Sequence, residues 1–355
     1  MVELSSLDVH FLTKELQTFL NGKVEKIVQS EKNKKDVLFT MYVKDMPKVF
    51  LRFYLPGLIC TPAKKPQTYP QVPPGFAMFL RKYVQGTRLT KIEQKGFDRI
   101  ITFTFERKDH KVAVVVELMK PGNMLVLIDG IIKQPLENQR FKDRSLLGRK
   151  EYEAPPPAFN ILEASEQALT ERLEQSEKDT IVTKLALDLG LGGVYAEEVC
   201  HRAGVEKKAQ QGDNKKLIAA LHELLKEQAN PCVDEKRAYP INMQSKEPEQ
   251  YEGTFVQALA QFVDDTEVVE DVTKKTKKKE KKLEKIQEKR IAELEKIEKE
   301  SREKAEKIYE EYAFVQELLE TVQNARKTKQ DPKELLKKYK NVKFIPKTGE
   351  LEVEF

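Results

Sequence analysis

Residues 99–106 read RIITFTFE, and this stretch decides the fold class of the first part of the chain. Its apolar residues Ile101, Phe103 and Phe105 alternate with threonines, which is the spacing of a strand with one apolar and one polar face. Strand-length segments lie on both sides of it, and the sequence therefore predicts an α+β domain over residues 1–158 with an antiparallel sheet. The predicted strands cover residues 24–30, 37–44, 48–55, 88–94, 98–107, 111–118, 124–128 and 131–133, and the predicted helices cover 7–20 and 75–85.

A glycine-rich turn is the most informative feature of residues 159–271, which predict an all-α domain. Gly190, Gly192 and Gly193 separate two helical segments in the pattern of a helix-hairpin-helix motif. Such a turn can present free amides at the start of its second helix to a phosphate. A plain glycine-capped helical hairpin remains the alternative, because this arrangement is common in α domains and Glu197 and Glu198 lie close enough to repel a phosphate.

The third part of the chain is dominated by charged residues. Residues 274–282 read KKTKKKEKK, and apolar residues then recur at alternating spacings of three and four from Ile291 to Val322. This spacing predicts a coiled coil over residues 272–340 and makes a homodimer plausible, although a solvated single helix remains the alternative. Residues 341–355 predict a short β-hairpin that begins a further module of a longer protein. The candidate RNA-binding lysines of the basic run are Lys274, Lys275, Lys277, Lys278 and Lys279.

Composition excludes several classes of protein. The 355 residues carry 63 basic and 58 acidic side chains, a formal net charge of +5. No apolar run approaches the roughly 20 residues of a membrane span, and the first residues lack the features of a signal peptide, so we expect a cytoplasmic protein with no membrane partner. The pattern of cysteines, histidines, serines and glycines matches no metal site, catalytic triad or nucleotide-binding loop. We therefore expect no metal, no cofactor and no catalytic residue.

Five segments together resemble one protein family. They are Leu7-Asp8, LRKYVQG at 80–86, QKGFDRII at 94–101, GRKEYEAPP at 148–156 and YAEEVCHRAG at 195–204. Their order, followed by a charged coil, resembles the NFACT family of ribosome quality-control factors, which includes proteins similar to NEMF and RqcH and is also described as fibronectin-binding-like. The resemblance is strongest to archaeal members, and the chain looks like their N-terminal part without the NFACT-R domain.

The resemblance implies a function and a set of residues. Members of the family bind the large ribosomal subunit obstructed by peptidyl-tRNA and recruit tRNA for template-free tailing of the stalled chain. By motif, the residues that this activity needs are Asp8, Asp98 and Arg99, with Arg81 and Lys82 as secondary candidates for RNA phosphate. The resemblance also implies a first domain similar in fold to the N-terminal domain of formamidopyrimidine-type DNA glycosylases.

Two other functions remain open at this stage. A DNA-glycosylase-like enzyme is one, but such enzymes begin Met-Pro-Glu-Leu, whereas this chain begins MVEL and has Val2 in place of the proline nucleophile. A coiled-coil scaffold or adhesin is the other. A purely structural interpretation of the site also remains, in which Asp98 and Arg99 form an ion pair at a strand end and Asp8 is a helix N-cap.

Overall fold

The structure is a computed structural model. It describes residues 3–64, 73–108, 110–263, 287, 290–291, 293–299, 301–303, 305–306, 309–345 and 348–354. The chain divides into two compact units, residues 1–269 and residues 270–355.

A nine-stranded antiparallel sheet dominates the first unit. Its strand order is β4-β3-β2-β1-β5-β6-β7-β8-β9, so every strand lies beside a strand that is close in sequence except at the junction of β1 and β5. This order confirms the predicted α+β class. The strands are β1 (Lys23–Gln29), β2 (Asp36–Tyr42), β3 (Val49–Tyr54), β4 (Leu58–Cys60), β5 (Arg88–Gln94), β6 (Ile100–Arg107), β7 (His110–Glu117), β8 (Asn123–Ile128) and β9 (Ile131–Pro135), with a separate pair β10 (Gln139–Arg140) and β11 (Ser145–Leu146).

The alternation of apolar and polar residues in 99–106 gives a strand with one buried apolar face, as predicted. Ile101, Phe103 and Phe105 point into the main core, whereas Thr102 and Thr104 lie on the opposite face. The same core takes one face of α1 (Ser6–Leu16) and of α2 (Gly75–Val84). The main core is therefore built from every second residue of the strands and from one apolar face of each helix.

Helix α1 is shared between two cores. Val9, Leu12 and Leu16 pack against the sheet, whereas Leu7 and Phe11 pack against the helical part of the unit. The predicted helix over 7–20 is shorter in the structure, because α1 ends at Leu16 and a 3₁₀ turn follows. A helix with apolar residues on two faces can hold two layers together, so the start of α1 lies at their boundary.

The middle part of the chain is not purely helical, and this corrects the expectation of an all-α region. Three short strands form a small sheet in the order β13-β12-β14. Two-residue strands leave no periodicity for a sequence pattern to detect. The elements are α3 (Glu166–Glu174), α4 (Ile181–Thr183) continuing as a π turn (Lys184–Asp188), α5 (Gly192–Ala203), α6 (Asn214–Lys226), β12 (Cys232–Val233), β13 (Ala238–Tyr239), β14 (Glu249–Gln250), α7 (Phe255–Ala258) and a 3₁₀ turn (Leu259–Phe262).

The second unit contains a helix that packs on a β-hairpin. Its elements are α8 (Tyr312–Thr328), α9 (Pro332–Leu336), β15 (Val342–Ile345) and β16 (Glu350–Val353), preceded by helical residues between 287 and 310. Leu318, Val322 and Leu336 form a small core with Phe344 and Leu351 of the hairpin.

The predicted coiled-coil seam stays a prediction. Ile291, Leu294, Tyr312 and Leu319 on this seam are exposed, whereas Val322 is buried in the small core. The basic run, Lys274 to Lys282, lies outside the described residues. Among the helices that the structure describes, none is both long and apolar enough to cross a membrane.

Candidate functional site

A cavity of about 470 Å³ lies where the sheet meets the helical part of the first unit. The start of α1, the turn between β5 and β6, the glycine turn before α5 and the turn between β12 and β13 all border it. The cavity therefore brings together three of the segments that the sequence singled out. Its polar lining includes Glu3, Ser5, Asp98, Arg99, Gly190, Gly192, Gly193 and Arg237.

Asp8 is a fully buried carboxylate behind one wall of this cavity. Ser5 donates to Asp8 Oδ2 from its backbone N at 2.7 Å and from its Oγ at 2.8 Å. The hydroxyl of Tyr195 on α5 donates to Asp8 Oδ1 at 2.5 Å, and Arg237 Nη2 donates to Asp8 Oδ2 at 2.6 Å. One carboxylate therefore joins α1, α5 and the β12–β13 turn.

The interpretation of Asp8 as a helix N-cap is wrong. The N-cap of α1 is Ser5, whose side chain accepts a hydrogen bond from the backbone N of Asp8 at 3.1 Å. Asp8 is the third residue of the helix and completes a capping box with Ser5. Its carboxylate also accepts hydrogen bonds from Tyr195 and Arg237, which are distant in sequence. Asp8 therefore does more than complete the local capping box.

Arg237 is the residue of this site that the sequence analysis missed. Its guanidinium carbon lies 5.8 Å from the ring centre of Tyr195 and 5.1 Å from that of Tyr239. Burial, the largest single effect, would lower the pKa of Arg237, but the charge of Asp8, its hydrogen bond and the nearby phenols of Tyr195 and Tyr239 together outweigh burial, so the pKa is raised and Arg237 stays cationic. No motif marks this arginine, because its partner is 229 positions away in sequence.

Asp98 and Arg99 line the cavity from the turn between β5 and β6. Burial raises the pKa of Asp98, against a backbone hydrogen bond from Ala158 and the charge of Arg99. The ion pair of Arg99 is with Glu3, whose Oε2 lies 3.9 Å from Arg99 Nη1. Among the ion pairs of the described residues, none joins Asp98 to Arg99, so the structural alternative in which these two residues pair at a strand end is wrong. About a third of the Arg99 side chain is exposed, so it can meet a ligand.

Gln94 links these two sides of the cavity. Its Nε2 donates to the backbone oxygen of Ser6 at 2.9 Å and to that of Asp98 at 3.0 Å. The start of α1 is therefore fixed against the turn that carries Asp98 and Arg99.

The glycine turn forms a third side of the cavity. Gly190 and Gly192 have φ angles of +70° and +74°, a conformation that residues with a Cβ rarely adopt. Helix α5 begins at Gly192, and no side chain caps it. The first amides of a helix have no acceptor within the helix, so those of α5 are available to a ligand at the cavity.

The two glutamates that were expected to repel a phosphate are already paired. Glu198 is fully buried, and its Oε1 accepts from Arg202 Nε at 2.7 Å. Burial alone would raise the pKa of Glu198, but hydrogen bonds from Ser245, Arg202 and the Gln244 backbone outweigh it, so the pKa is lowered. Glu197 pairs with Lys207 at 2.9 Å. Their negative charges are therefore compensated before any ligand arrives.

The secondary candidates lie elsewhere. Arg81 and Lys82 are on α2, which packs on β1 and β9, and neither residue lines the cavity. Arg81 Nε donates to the backbone oxygen of Ile27 at 2.7 Å, whereas Lys82 is exposed with its Nζ 5.2 Å from the ring centre of Tyr83. Among the described residues, no group of three or more His, Cys, Asp or Glu side chains is placed to hold a metal.

Comparison with protein families agrees with the resemblance seen in the sequence. Residues 5–347 match the family model of the NFACT N-terminal and middle domains. The chain belongs to the NFACT family. The matched region covers both the sheet and the helical part that form the cavity, and it contains all of the cavity lining except Glu3 and Leu4.

Curated relatives match parts of the chain. It is 29% identical over 236 residues to the archaeal Rqc2 homolog aRqcH of Methanocaldococcus jannaschii, which covers 63% of this chain and 35% of that protein. It is 31% identical over 217 residues to the Rqc2 homolog RqcH of Bacillus subtilis, covering 56% of this chain and 37% of that protein. A 54-residue stretch is 43% identical to the ribosome quality control complex subunit NEMF homolog of Drosophila melanogaster, covering 15% of this chain and 5% of that protein. The chain spans about a third of the length of the first two relatives.

Solved structures share the fold. The N-terminal part of the fibronectin/fibrinogen-binding protein from Streptococcus suis superimposes with a TM-score of 0.61 at 22% identity, covering 73% of this chain and 98% of that one. The fibrinogen binding protein from Staphylococcus aureus gives a TM-score of 0.53 at 21% identity, covering 74% of this chain and 92% of that one. At this identity the likeness concerns the fold alone.

Proposed function

We propose that this chain acts in ribosome quality control. In this proposal it binds the large ribosomal subunit obstructed by peptidyl-tRNA and recruits tRNA for template-free C-terminal tailing of the stalled chain. Membership of the NFACT family and the names of the curated relatives support this role. The proposed partners are the large subunit with its rRNA, tRNA and peptidyl-tRNA, and the proposed location is the cytoplasm.

The observation that carries the proposal is the composition of the cavity. Arg99 and Arg237 face a space that is also bordered by the first amides of α5. Guanidinium groups and helix amides are both good partners for phosphate oxygens. We propose that Gly190, Gly192 and Gly193 act as a helix-hairpin-helix turn that lets an RNA backbone approach closely.

The acidic residues have separate roles in this proposal. Asp98 borders the cavity and can accept a hydrogen bond from a base amine or a 2′-hydroxyl. Asp8 is fully buried, so we assign it a positioning role in which it holds Arg237 and Tyr195 at the cavity wall. The chain then positions RNA, and the ribosome carries out peptidyl transfer.

The basic run and the apolar seam that follows it have roles in the same proposal. The basic run from Lys274 to Lys279 would supply a sequence-independent attraction to RNA through counterion release. The apolar residues between Ile291 and Val322 would pair with a second helix, in the same chain or in a homodimer. We also retain the helix-hairpin-helix assignment and the likeness of the first domain to the formamidopyrimidine-glycosylase N-terminal fold as proposals.

The test compares two activities in the full-length protein. Asp98→Ala combined with Arg99→Ala is expected to weaken cosedimentation with obstructed large subunits in the presence of tRNA and to abolish tailing. Arg140→Ala is the matched control, because Arg140 is an exposed arginine that does not line the cavity. Tails that persist undiminished in the double variant would show that the tailing proposal is wrong.

A further inference from the structure

A row of cross-strand neighbours crosses one end of the large sheet. Tyr42 of β2 pairs with Lys23 of β1, and Lys23 also pairs with Arg88 of β5. Arg88 pairs with Glu106 of β6, which in turn pairs with Lys111 of β7. Because neighbouring strands lie about 4.8 Å apart, these five side chains form a row about 19 Å long.

This row lies on the face of the sheet that points away from the main core. Successive residues of a strand point to opposite faces, and the neighbour of each member of the row is buried in the core. Tyr42 itself is 57% exposed, so its ring is open to a partner outside the chain. The buried neighbours are Met41, Val24, Leu89, Phe105 and Val112.

A second cavity, of about 410 Å³, opens beside the row. Lys23, Arg88, Arg107 and Lys108 line it together with Glu106. The four basic residues are all exposed at the surface. The cavity is therefore a concave basic surface that is accessible to anions in solution.

Two arginine side chains lie near the backbone at this cavity. Gly86 has a φ of +82°, and Arg107 Nη1 lies 3.6 Å from the position that a Cβ on Gly86 would occupy. Arg88 Nη1 donates to the backbone oxygen of Asn21 at 2.8 Å, which fixes the direction of that side chain. The Arg88 guanidinium is thus held at the cavity by the fold, and Arg107 lines the same cavity.

The charge balance of this surface is positive. Residues 106–111 together with Lys23 and Arg88 contain five basic residues against Glu106 and Asp109 in the sequence. Of the described residues, Glu106 already pairs with Lys111, at 3.2 Å from Oε1 to Nζ. The remaining positive charges favour a polyanion over a small neutral ligand.

We propose that Tyr42, Lys23 and Arg88 on the outer face, with Arg107 and Lys108 at the adjoining end of β6, bind a single-stranded segment of RNA; these five residues are here called the outer-face patch. The phosphates of the RNA would lie on the basic side chains and one of its bases would stack on the Tyr42 ring. An acidic protein would satisfy the charges equally well, but the exposed aromatic ring at the end of a basic surface favours a nucleic acid strand. The inference rests on the proposed function, since it gives the same chain a second contact with RNA.

The test is binding of an unstructured 12-nucleotide RNA to the full-length protein, measured by fluorescence anisotropy over a range of salt concentrations. Tyr42→Ala is expected to weaken binding about tenfold, and Tyr42→Phe to keep it, because the phenylalanine ring still stacks. Lys23→Gln with Lys108→Gln is expected to lower the slope of log K against log salt by about 1.4, because each phosphate contact contributes about 0.7 for a single strand.

The matched control is Lys142→Gln with Lys150→Gln, which removes two exposed lysines that line neither cavity. If this control lowers the slope as much as the patch variant does, the inference is overturned. It is also overturned if Tyr42→Ala binds RNA as the wild type does.

A comparison with the first cavity separates this inference from the proposed function. In one outcome, Arg99→Ala weakens RNA binding and the patch variants leave it unchanged. This result would overturn the outer-face patch and leave the proposed function intact. In another outcome, the patch variants weaken RNA binding, and the protein with Asp98→Ala and Arg99→Ala still tails normally. This result would support the patch as an RNA contact and overturn the tailing role. A wild-type protein that binds no RNA would overturn both.

Discussion

Arg237 Nη2 donates a hydrogen bond of 2.6 Å to Asp8 Oδ2 across 229 positions of sequence. The Asp8 side chain is fully buried and the Arg237 side chain is 15% exposed, so the pair is shielded from water. The contact ties the first helix to the β12–β13 turn at the wall of the candidate site. It therefore connects the stability of the fold to the shape of the cavity.

The first prediction concerns this pair. Asp8→Asn is expected to lower the free energy of unfolding by about 3 kcal/mol, because it leaves the Arg237 charge without a counterion in a buried position. Urea denaturation measures the change. Glu93→Gln is the control, since the Lys91–Glu93 pair is 2.7 Å apart but both side chains are more than half exposed, and it is expected to cost less than about 0.5 kcal/mol. Equal losses in the two variants would contradict the importance of the buried pair.

The second prediction concerns stability at alkaline pH. Burial, and next the Asp8 carboxylate, raises the pKa of Tyr195 well above its ordinary value of 10.0. The unfolded phenol loses its proton above pH 10 whereas the folded one keeps it, so this contribution to stability is present below pH 10 and is lost as the pH rises. Tyr195→Phe should reduce the loss by about 1.4 kcal/mol per pH unit above pH 10.

The measurement for Tyr195 is urea denaturation at several values between pH 9 and pH 11. Tyr42→Phe is the control, because Tyr42 is 57% exposed and its hydroxyl is outside this network. A pH dependence that is the same in Tyr195→Phe and in the wild type would refute a buried, protonated phenol in this position.

The third prediction concerns stability at acidic pH. Glu198 accepts hydrogen bonds from Arg202 and from the backbone of Gln244 and Ser245, and these outweigh burial to lower its pKa. A lowered pKa stabilises the fold above the ordinary value of 4.5, and this stabilisation is lost as the pH falls through the folded-state pKa. Glu198→Gln is expected to cost about 3 kcal/mol at pH 7 and to flatten the pH dependence below pH 4.5.

Thermal and urea denaturation between pH 3 and pH 7 check this expectation. Glu163→Gln is the control, because Glu163 is exposed. The account of Glu198 fails if both variants follow the pH dependence of the wild type.

The fourth prediction separates two adjacent glycines. Gly192 has a φ of +74°, so Gly192→Ala is expected to cost about 1–2 kcal/mol. A Cβ on Gly193 meets no atom within 4 Å and its φ is not positive, so Gly193→Ala is expected to be neutral or to stabilise by up to about 0.5 kcal/mol. Urea denaturation of the two variants compares them, and a larger loss in Gly193→Ala would contradict the described turn.

Several features of the fold could be predicted because their causes are local. The alternation of Ile101, Phe103 and Phe105 and the helical spacing of Leu12 and Leu16 follow from the geometry of one strand or one helix. The end of the first helix was predicted four residues too late, because the apolar spacing continues through the 3₁₀ turn at Gln17–Phe19. The short strands β12 to β14 were missed because two residues carry no period.

The candidate site was predicted only in part. The family resemblance pointed to Asp8, Asp98 and Arg99, but it did not show that Asp8 is buried behind the wall or that the glycine turn borders the same cavity as Arg99. Arg237 was missed altogether, since an arginine in a turn has no local signature when its partners are distant. The loss of repulsion from Glu197 and Glu198 also depends on partners at Lys207 and Arg202 that the turn itself does not contain.

The sequence by itself determined the α+β class, the faces of the main strands, the glycine turn and the family, because periodicity, backbone preference and motif wording are all properties of short segments. Only the tertiary structure decided which charged residues meet. Burial of α1 between two cores brings residues 8, 195 and 237 to one point, and the free energy that holds them there comes from packing over the whole unit. The charges that remain at the surface, at Arg99 and on the outer face of the sheet, are likewise left there by that packing.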